Sequence, residues 1–343
     1  MERADCDHEP PYTCSHRKDF MKYGHVPGID KPISRLVQGS MMVSSRDLDT
    51  SFALLDGIFE LGCNTYDMAH VYGGGDVERT FGLWMRERGI RDELVLLTKG
   101  AHHNQDRNRV TPFDITADLH DSLARLQVDK VELYLLHRDD PGYPVGPIVE
   151  ILNEHRGAGL IDAFGGSNWS YERIAEANAY ANAHGLTPFT ASSPQFSLAE
   201  MVEAPWAGCI SISGPAEVAG RQAYAESGLA LFTWSSLAGG FFSGRYRRDN
   251  LDTLTEGQDR LVIRSYCSEA NFDRLERAQQ LADQKGLTLP QVALAYSQRH
   301  PLNLFSLVGC RTPEEFADNI VALETPLTEA EIVWLESGKG EVA

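Results

Sequence analysis

Leu94-Val95-Leu96-Leu97 and Val131-Glu132-Leu133-Tyr134-Leu135-Leu136 are two apolar runs of strand length, and the text between them has a helical period. Thr111-Pro112 supplies a cap and a first-turn proline for that helix, and Ile115, Leu119, Leu123 and Leu126 recur on one face. The unit is therefore strand, helix, strand. Worked outward, it repeats. Upstream lie a strand at 36–39, a helix carrying Phe52, Leu55, Ile58 and Phe59 that stops at Gly62, a strand at 64–67, and a helix with Val77, Phe81 and Trp84 inward. Downstream come strands at 161–165, 189–192, 229–234 and 304–308, with helices opening near Pro147, Ser170 and Pro313 and a further one carrying Phe272, Leu275, Leu281 and Ala282. Eight strand–helix pairs in one chain predict a closed parallel α/β barrel, a (β/α)8 TIM barrel, with an open doubly wound sheet as the competing arrangement. Residues 21–34, with Gly24, Gly28 and Asp30, read as a β-hairpin that closes the bottom of the barrel, and residues 239–267 as a long loop. Residues 1–20 are an N-terminal extension, and 21–343 form a single barrel domain.

Of the 343 residues, 42% are hydrophobic and 23% charged, a globular composition. The net charge of −18 disfavours nucleic acid and anionic membranes as partners. Six irregularly spaced cysteines do not form a secreted disulfide framework, residues 1–22 are too polar for a signal peptide, and no apolar run reaches membrane-spanning length. A soluble cytoplasmic protein, a monomer or homo-oligomer acting on a small molecule, is the expectation. Cys6-Asp7-His8 and Cys14-Ser15-His16 repeat a Cys-Xaa-His pattern, but the spacing is not a familiar zinc-finger one, and no metal is expected there or at His102-His103.

The strand ends carry the chemistry. Asp67, Lys99 and His137 end the second, third and fourth strands, and Tyr72 follows Asp67 by five residues. In a barrel these ends converge on one mouth. A lysine beside a tyrosine favours the phenolate and lowers its pKa, and Asp67 keeps the ammonium charged. His137 can bond a carbonyl oxygen. Such a set delivers a proton but no electrons, so a hydride-donating cofactor is implied.

Tyr66-Asp67-Met68-Ala69-His70-Val71-Tyr72-Gly73, Leu97-Thr98-Lys99 and Tyr134-Leu135-Leu136-His137 resemble the active-site segments of the aldo-keto reductase family. The resemblance runs from about residue 21 to the end. It implies an NAD(P)(H)-dependent oxidoreductase that reduces aldehydes or ketones, or oxidises the alcohols, with Tyr72 as acid/base and Asp67, Lys99 and His137 completing a tetrad. Some family members instead regulate membrane channels, so a cofactor-sensing subunit with little turnover is the alternative. The resemblance also assigns Ser167 and Asn168 to the cofactor's carboxamide. It gives Trp234 to the nicotinamide face, with Ser235, Leu237 and Gly240 beside it, and Gly309, Arg311, Glu315 and Asn319 to the adenosine end. A glutamine usual in the family is replaced by Ser193, so either Ser193 or Gln195 serves there. Glu315 would repel a 2′-phosphate and accept a bond from a free hydroxyl, whereas Arg311 argues the other way. NADP(H) is the family's preference and NAD(H) the alternative. Arg245, Arg247 and Arg248, in the long loop, are candidates for the pyrophosphate. Met42, His70, His102, His103, Trp169 and Trp206 are candidates for the substrate pocket.

Overall fold

A computed structural model describes residues 21–340. The Cys-Xaa-His repeats of the extension lie outside the described residues. Two antiparallel strands, β1 (Tyr23–Gly24) and β2 (Ile33–Ser34), form the expected hairpin. Eight parallel strands then close into a barrel: β3 (Leu36–Gly39), β4 (Thr65–Asp67), β5 (Val95–Gly100), β6 (Val131–Leu136), β7 (Ile161–Ser167), β8 (Ala191–Ser193), β9 (Ala230–Thr233) and β10 (Asn303–Val308), with β10 pairing back onto β3. Helices α1 (Leu48–Glu60), α2 (Asp76–Arg88), α3 (Pro112–Leu126), α4 (Val145–Gly157), α5 (Tyr171–Ala183) and α6 (Val218–Ser227) follow the first six strands. The open doubly wound sheet is thereby excluded.

Residues 239–267 are not a plain loop. They hold two short 3-10 turns and helix α7 (Gly257–Tyr266). Asp259 of α7 ties the segment together by accepting two bonds from Arg245, at 2.8 and 2.7 Å, and one from Tyr246 at 2.9 Å. After α8 (Glu269–Lys285) the structure adds α9 (Leu289–Gln298), and after α10 (Pro313–Ile320) it adds α11 (Glu329–Ser337). Thr288 and Thr328 open α9 and α11 with full capping boxes.

Side-chain alternation divides the barrel into two apolar layers. Val37, Val95, Leu97, Leu133, Leu135, Ala163, Ala191, Ala230, Phe232, Phe305 and Leu307 fill the inside, where the Phe232 and Phe305 rings stack at 4.6 Å. Val26, Ile29 and Ile33 of the hairpin belong to the same inner cluster, so the hairpin stoppers the barrel's lower end. Tyr66, Leu96, Tyr134, Leu136 and Phe164 face outward onto the helices. Each fully buried leucine or phenylalanine stabilises the fold by about 1.5–3 kcal/mol. Among the described residues, no helix is long and apolar enough to cross a membrane.

Candidate active site

The inner rows end in polar residues. Val95 and Leu97 point inward, so Lys99 does too; Leu133 and Leu135 point inward, so His137, one residue beyond β6, follows them. Asp67 closes β4 in the same sense. Parallel pairing sets Asp67 opposite Leu97 and Lys99 opposite Leu135, and the His137 amide donates to Gly100 O at 2.7 Å. Asp67, Lys99 and His137 are 5%, 3% and 8% exposed, so an apolar inner layer carries three titratable groups at its upper rim.

Tyr72 starts the 3-10 turn Tyr72–Gly75, whose three glycines all take left-handed backbone. That turn folds the phenol back over the strand ends. Lys99 Nζ donates to Asp67 Oδ1 in a short, buried ion pair, and lies 3.3 Å from Met68 O and 3.4 Å from the Tyr72 hydroxyl. The His137 ring stands edge-on to Tyr72, centroids 5.7 Å apart, and His102 stands edge-on to His137 at 4.8 Å. All four tetrad residues expected from sequence are brought together.

Their electrostatics differ from the expectation in one respect. Burial raises the Tyr72 pKa, and the neighbouring Lys99 only partly offsets it, so the phenol ends above its ordinary value. The physical reason is that Lys99 is shared: its closest partner is Asp67. Burial by itself would lower the Lys99 pKa, but Asp67 and Tyr72 outweigh it and hold the ammonium charged. Burial drives His137 well below the usual histidine range, with Lys99 adding to the effect, so its ring is neutral at pH 7. Its Nδ1 is buried without a partner.

Around the mouth, β7 ends in Ser167, whose hydroxyl donates to Ser193 O at 3.2 Å, and Asn168 adopts a left-handed φ of 57°. The Asn168 side chain donates to Ser167 Oγ and accepts from the Ile210 amide, both at 3.2 Å. Ser193 and Gln195 differ in their surroundings. Gln195 Oε1 accepts from Ser211 at 2.6 Å and Ser213 at 3.0 Å, and its Nε2 donates to Ser197 at 2.9 Å, so its amide is engaged inside the protein. Ser193 Oγ is buried with no partner. Trp234 caps the inner cluster with its indole Nε1 also unpartnered. Ser235 and Ala238 take left-handed φ values, and Gly240, at φ 102°, sits where a side chain is strained.

On the far side, Gly309 and Arg311 are exposed between β10 and α10, and Asn319 Nδ2 donates to Cys310 Sγ at 3.2 Å. Glu315 Oε2 accepts from the Arg311 amide at 2.7 Å, so a carboxylate already occupies the start of α10. Met42 lies beside Gly309 and accepts from Gln38 Nε2 through its sulfur, which puts it on this side.

Several of the sequence candidates have other partners. Arg245 pairs with Asp259, Arg247 with Asp249, and Arg248 with Glu269, Asp273 and Glu276, so in this acid-rich chain all three members of the basic cluster are engaged by carboxylates. Trp169 has no exposed surface: it packs on Phe189 and donates to Arg138 O at 3.2 Å, so it supports the mouth from behind and presents nothing to a substrate. His70 Nε2 lies 3.2 Å from Asp121 of α3. His102, half-buried against His137, stays at the mouth, while His103 and Trp206 are exposed. No group of three or more metal-ligating side chains occurs among the described residues. Sequence reasoning passed over Arg138, which lies immediately after His137 and is buried.

This geometry has relatives. The chain is 28% identical over 320 residues to the Bacillus subtilis protein named uncharacterized oxidoreductase YrpG, covering 90% of this chain and 92% of that one. It is 30% identical over 302 residues to the norsolorinic acid reductase of Aspergillus flavus, covering 83% and 70%. It is 27% identical over 329 residues to an Oryza sativa subsp. japonica protein named as a probable voltage-gated potassium channel subunit beta, covering 91% and 94%. The sequence profile of the aldo/keto reductase family matches residues 35–337, and on that match, spanning every barrel strand, the chain belongs to the aldo/keto reductase family.

Proposed function

We propose that this protein reduces an aldehyde or ketone to the alcohol, or runs the reverse reaction, with a nicotinamide dinucleotide as redox partner and Tyr72 as proton donor. The observation that carries the reading is the Tyr72 hydroxyl 3.4 Å from a buried ammonium that Asp67 holds charged. The site's unsatisfied groups fit the cofactor: Ser193 Oγ and Trp234 Nε1 are buried donors without acceptors, at the positions the family uses for the nicotinamide. Ser167, Asn168, Ser193 and Trp234 would hold the nicotinamide end, and Gly309, Arg311 and Asn319 the adenosine end. The bound dinucleotide supplies the hydride that the protein itself lacks.

The chain's own residues manage the oxygen. Neutral His137 and the Tyr72 hydroxyl orient the carbonyl by hydrogen bonds. As negative charge grows on that oxygen, the Tyr72 proton moves to it. Lys99 then stabilises the phenolate left behind, and Asp67 prevents the ammonium from losing its own proton to the apolar surroundings. A tyrosine whose resting pKa is raised by burial holds its proton until that charge appears.

Glu315, seated at the start of α10, would oppose a second anion there. Its position favours NAD(H) over the NADP(H) preference expected from the family. The similarity to the rice protein underlies the competing reading, a cofactor-binding subunit with little turnover; the complete tetrad favours catalysis. Tyr72→Phe tests the proposal. With benzaldehyde and either reduced dinucleotide, kcat should fall by about 10²–10⁴ while dinucleotide binding, read by tryptophan fluorescence, persists. Unchanged turnover would remove Tyr72 from the mechanism.

A further inference from the structure

Four arginines are buried among the described residues: Arg138, Arg173, Arg221 and Arg274, each no more than 9% exposed. Three have a carboxylate. Arg173 pairs with Asp139 and Glu176, Arg221 with Glu336, and Arg274 with Glu200. Arg138 has none among the described residues, in a chain with 49 acidic residues against 31 basic ones. Its guanidinium has a long 3.3 Å bond from Nη1 to the neighbouring His137 carbonyl and a contact with the Cys209 thiol, neither of them an anion at neutral pH, and its Nε is buried without a partner. Asp139, the nearest acid in sequence, is turned to Arg173 at 3.2 Å.

A guanidinium cannot shed its charge, so burial without an anion is costly. Its place explains what could offset that cost. Trp169 anchors the Arg138 carbonyl, and the Arg138 charge is felt by the Tyr72 phenol, His137, His102 and the Cys209 thiol. The guanidinium thus lies against His137, within Coulombic range of the reacting centre, and its unpartnered Nε forms with the adjoining Nη a two-pronged edge that matches a carboxylate.

We propose that Arg138 is a specificity residue that binds an anionic group of the substrate, so that the preferred substrates are carbonyl compounds carrying a carboxylate or phosphate. The inference rests on the reductase reading and names its substrate class. The chemistry at the carbonyl is unchanged: carbon accepts the hydride, oxygen accepts the Tyr72 proton, and the anion only anchors. A neutral analogue leaves the guanidinium buried and unpaired, which penalises it.

The test measures kcat/KM for 3- and 4-carboxybenzaldehyde against their methyl esters, for 4-oxobutanoate against butanal, and for glyceraldehyde 3-phosphate against glyceraldehyde. Wild-type protein should favour at least one anion over its neutral partner by about 10- to 100-fold. A preference in the first two pairs identifies carboxylate, and in the third phosphate. Arg138→Met should bring that ratio to about one, and Arg138→Lys should retain part of it. Binding of benzoate and inorganic phosphate, followed by calorimetry, is the second readout. One of them should bind wild type in a salt-sensitive manner and bind Arg138→Met at least tenfold more weakly. If Arg138→Met does not fold, the wild-type preference, the salt dependence and Arg138→Lys decide the matter. Turnover of neutral and anionic carbonyls at equal efficiency overturns the proposal and leaves the reductase reading intact. Anion binding that depends on Arg138, without turnover of any carbonyl, upholds the anion site and overturns the reductase reading. Absence of both defeats the two together.

Discussion

The rim of β4–β6 and the segment from β8 to α7 both bring polar side chains to the barrel mouth, by different means. On the first, position is inherited from strand geometry: Lys99 and His137 continue inward rows begun by apolar residues, Asp67 follows Thr65 on the same face of β4, and adjacent strands set them side by side. On the second, position is negotiated by hydrogen bonds in irregular backbone. Ser211, Ser213 and Ser197 hold Gln195, Ile210 holds Asn168, and Asp259 holds Arg245. A regular ladder makes a residue's direction a matter of counting; a loop makes it depend on whichever partner is nearest.

The largest effect should come from breaking the rim. Lys99→Met leaves Asp67 as a buried carboxylate with no cation, and urea unfolding should show a loss of about 3–5 kcal/mol. Adding Asp67→Leu should restore most of that stability but not the activity. If Lys99→Met unfolds like wild type, the ion pair is not holding a charge in a dry site, and the contrast between rim and loop weakens.

In the loop, Gln195→Leu strands the Ser211 and Ser213 hydroxyls and should cost about 1–3 kcal/mol in the same assay. Ser193→Ala, two residues away, removes a hydroxyl with no internal partner. It should leave stability near wild type and weaken dinucleotide binding, measured by tryptophan fluorescence. The reverse pattern would return the carboxamide role to Gln195.

His137 sharpens the rim by pH. Its folded pKa lies well below its unfolded value, so between the two the unfolded chain binds the extra proton, and stability drops as pH falls below about 6.5. This one group contributes a slope of up to about 1.4 kcal/mol per pH unit. His137→Gln should flatten the stability profile between pH 7 and 5 by that share; a profile as steep as wild type would assign the loss to His102, His155 and His300, whose pKa values burial also lowers. The smallest effect is at the outer edge. Glu315→Gln should move the kcat/KM ratio toward NADP(H) by about fivefold, the equivalent of ~1 kcal/mol.

The same contrast explains what could be read in advance. The barrel and its tetrad were legible because period-2 alternation and the spacing from Asp67 to Tyr72 survive in the one-dimensional text. The different surroundings of Ser193 and Gln195 were not, because they depend on which of the two Ser211 and Ser213 engage. The fate of Arg248 depended on Glu269, Asp273 and Glu276, which are 21 to 28 residues away and meet it only when α8 is formed. Arg138 was missed for a different reason. What distinguishes it is a partner it lacks, and a missing contact leaves no mark in a sequence. The net rise of the Tyr72 pKa escaped because burial, which a sequence does not display, outweighs the lysine it does.

The hairpin stopper has a consequence for proton resupply. Beneath Lys99 the inner layer is an apolar cluster from Leu97 and Leu135 down to Val26 and Ile29, with the Phe232 and Phe305 rings across it. Such an apolar layer is a poor path for protons, so on the proposed chemistry a phenolate formed at Tyr72 would regain its proton from the side where substrate arrives. Under that proposal each turnover would end with solvent reaching the upper opening, and whatever covers that opening would govern when the acid is ready again.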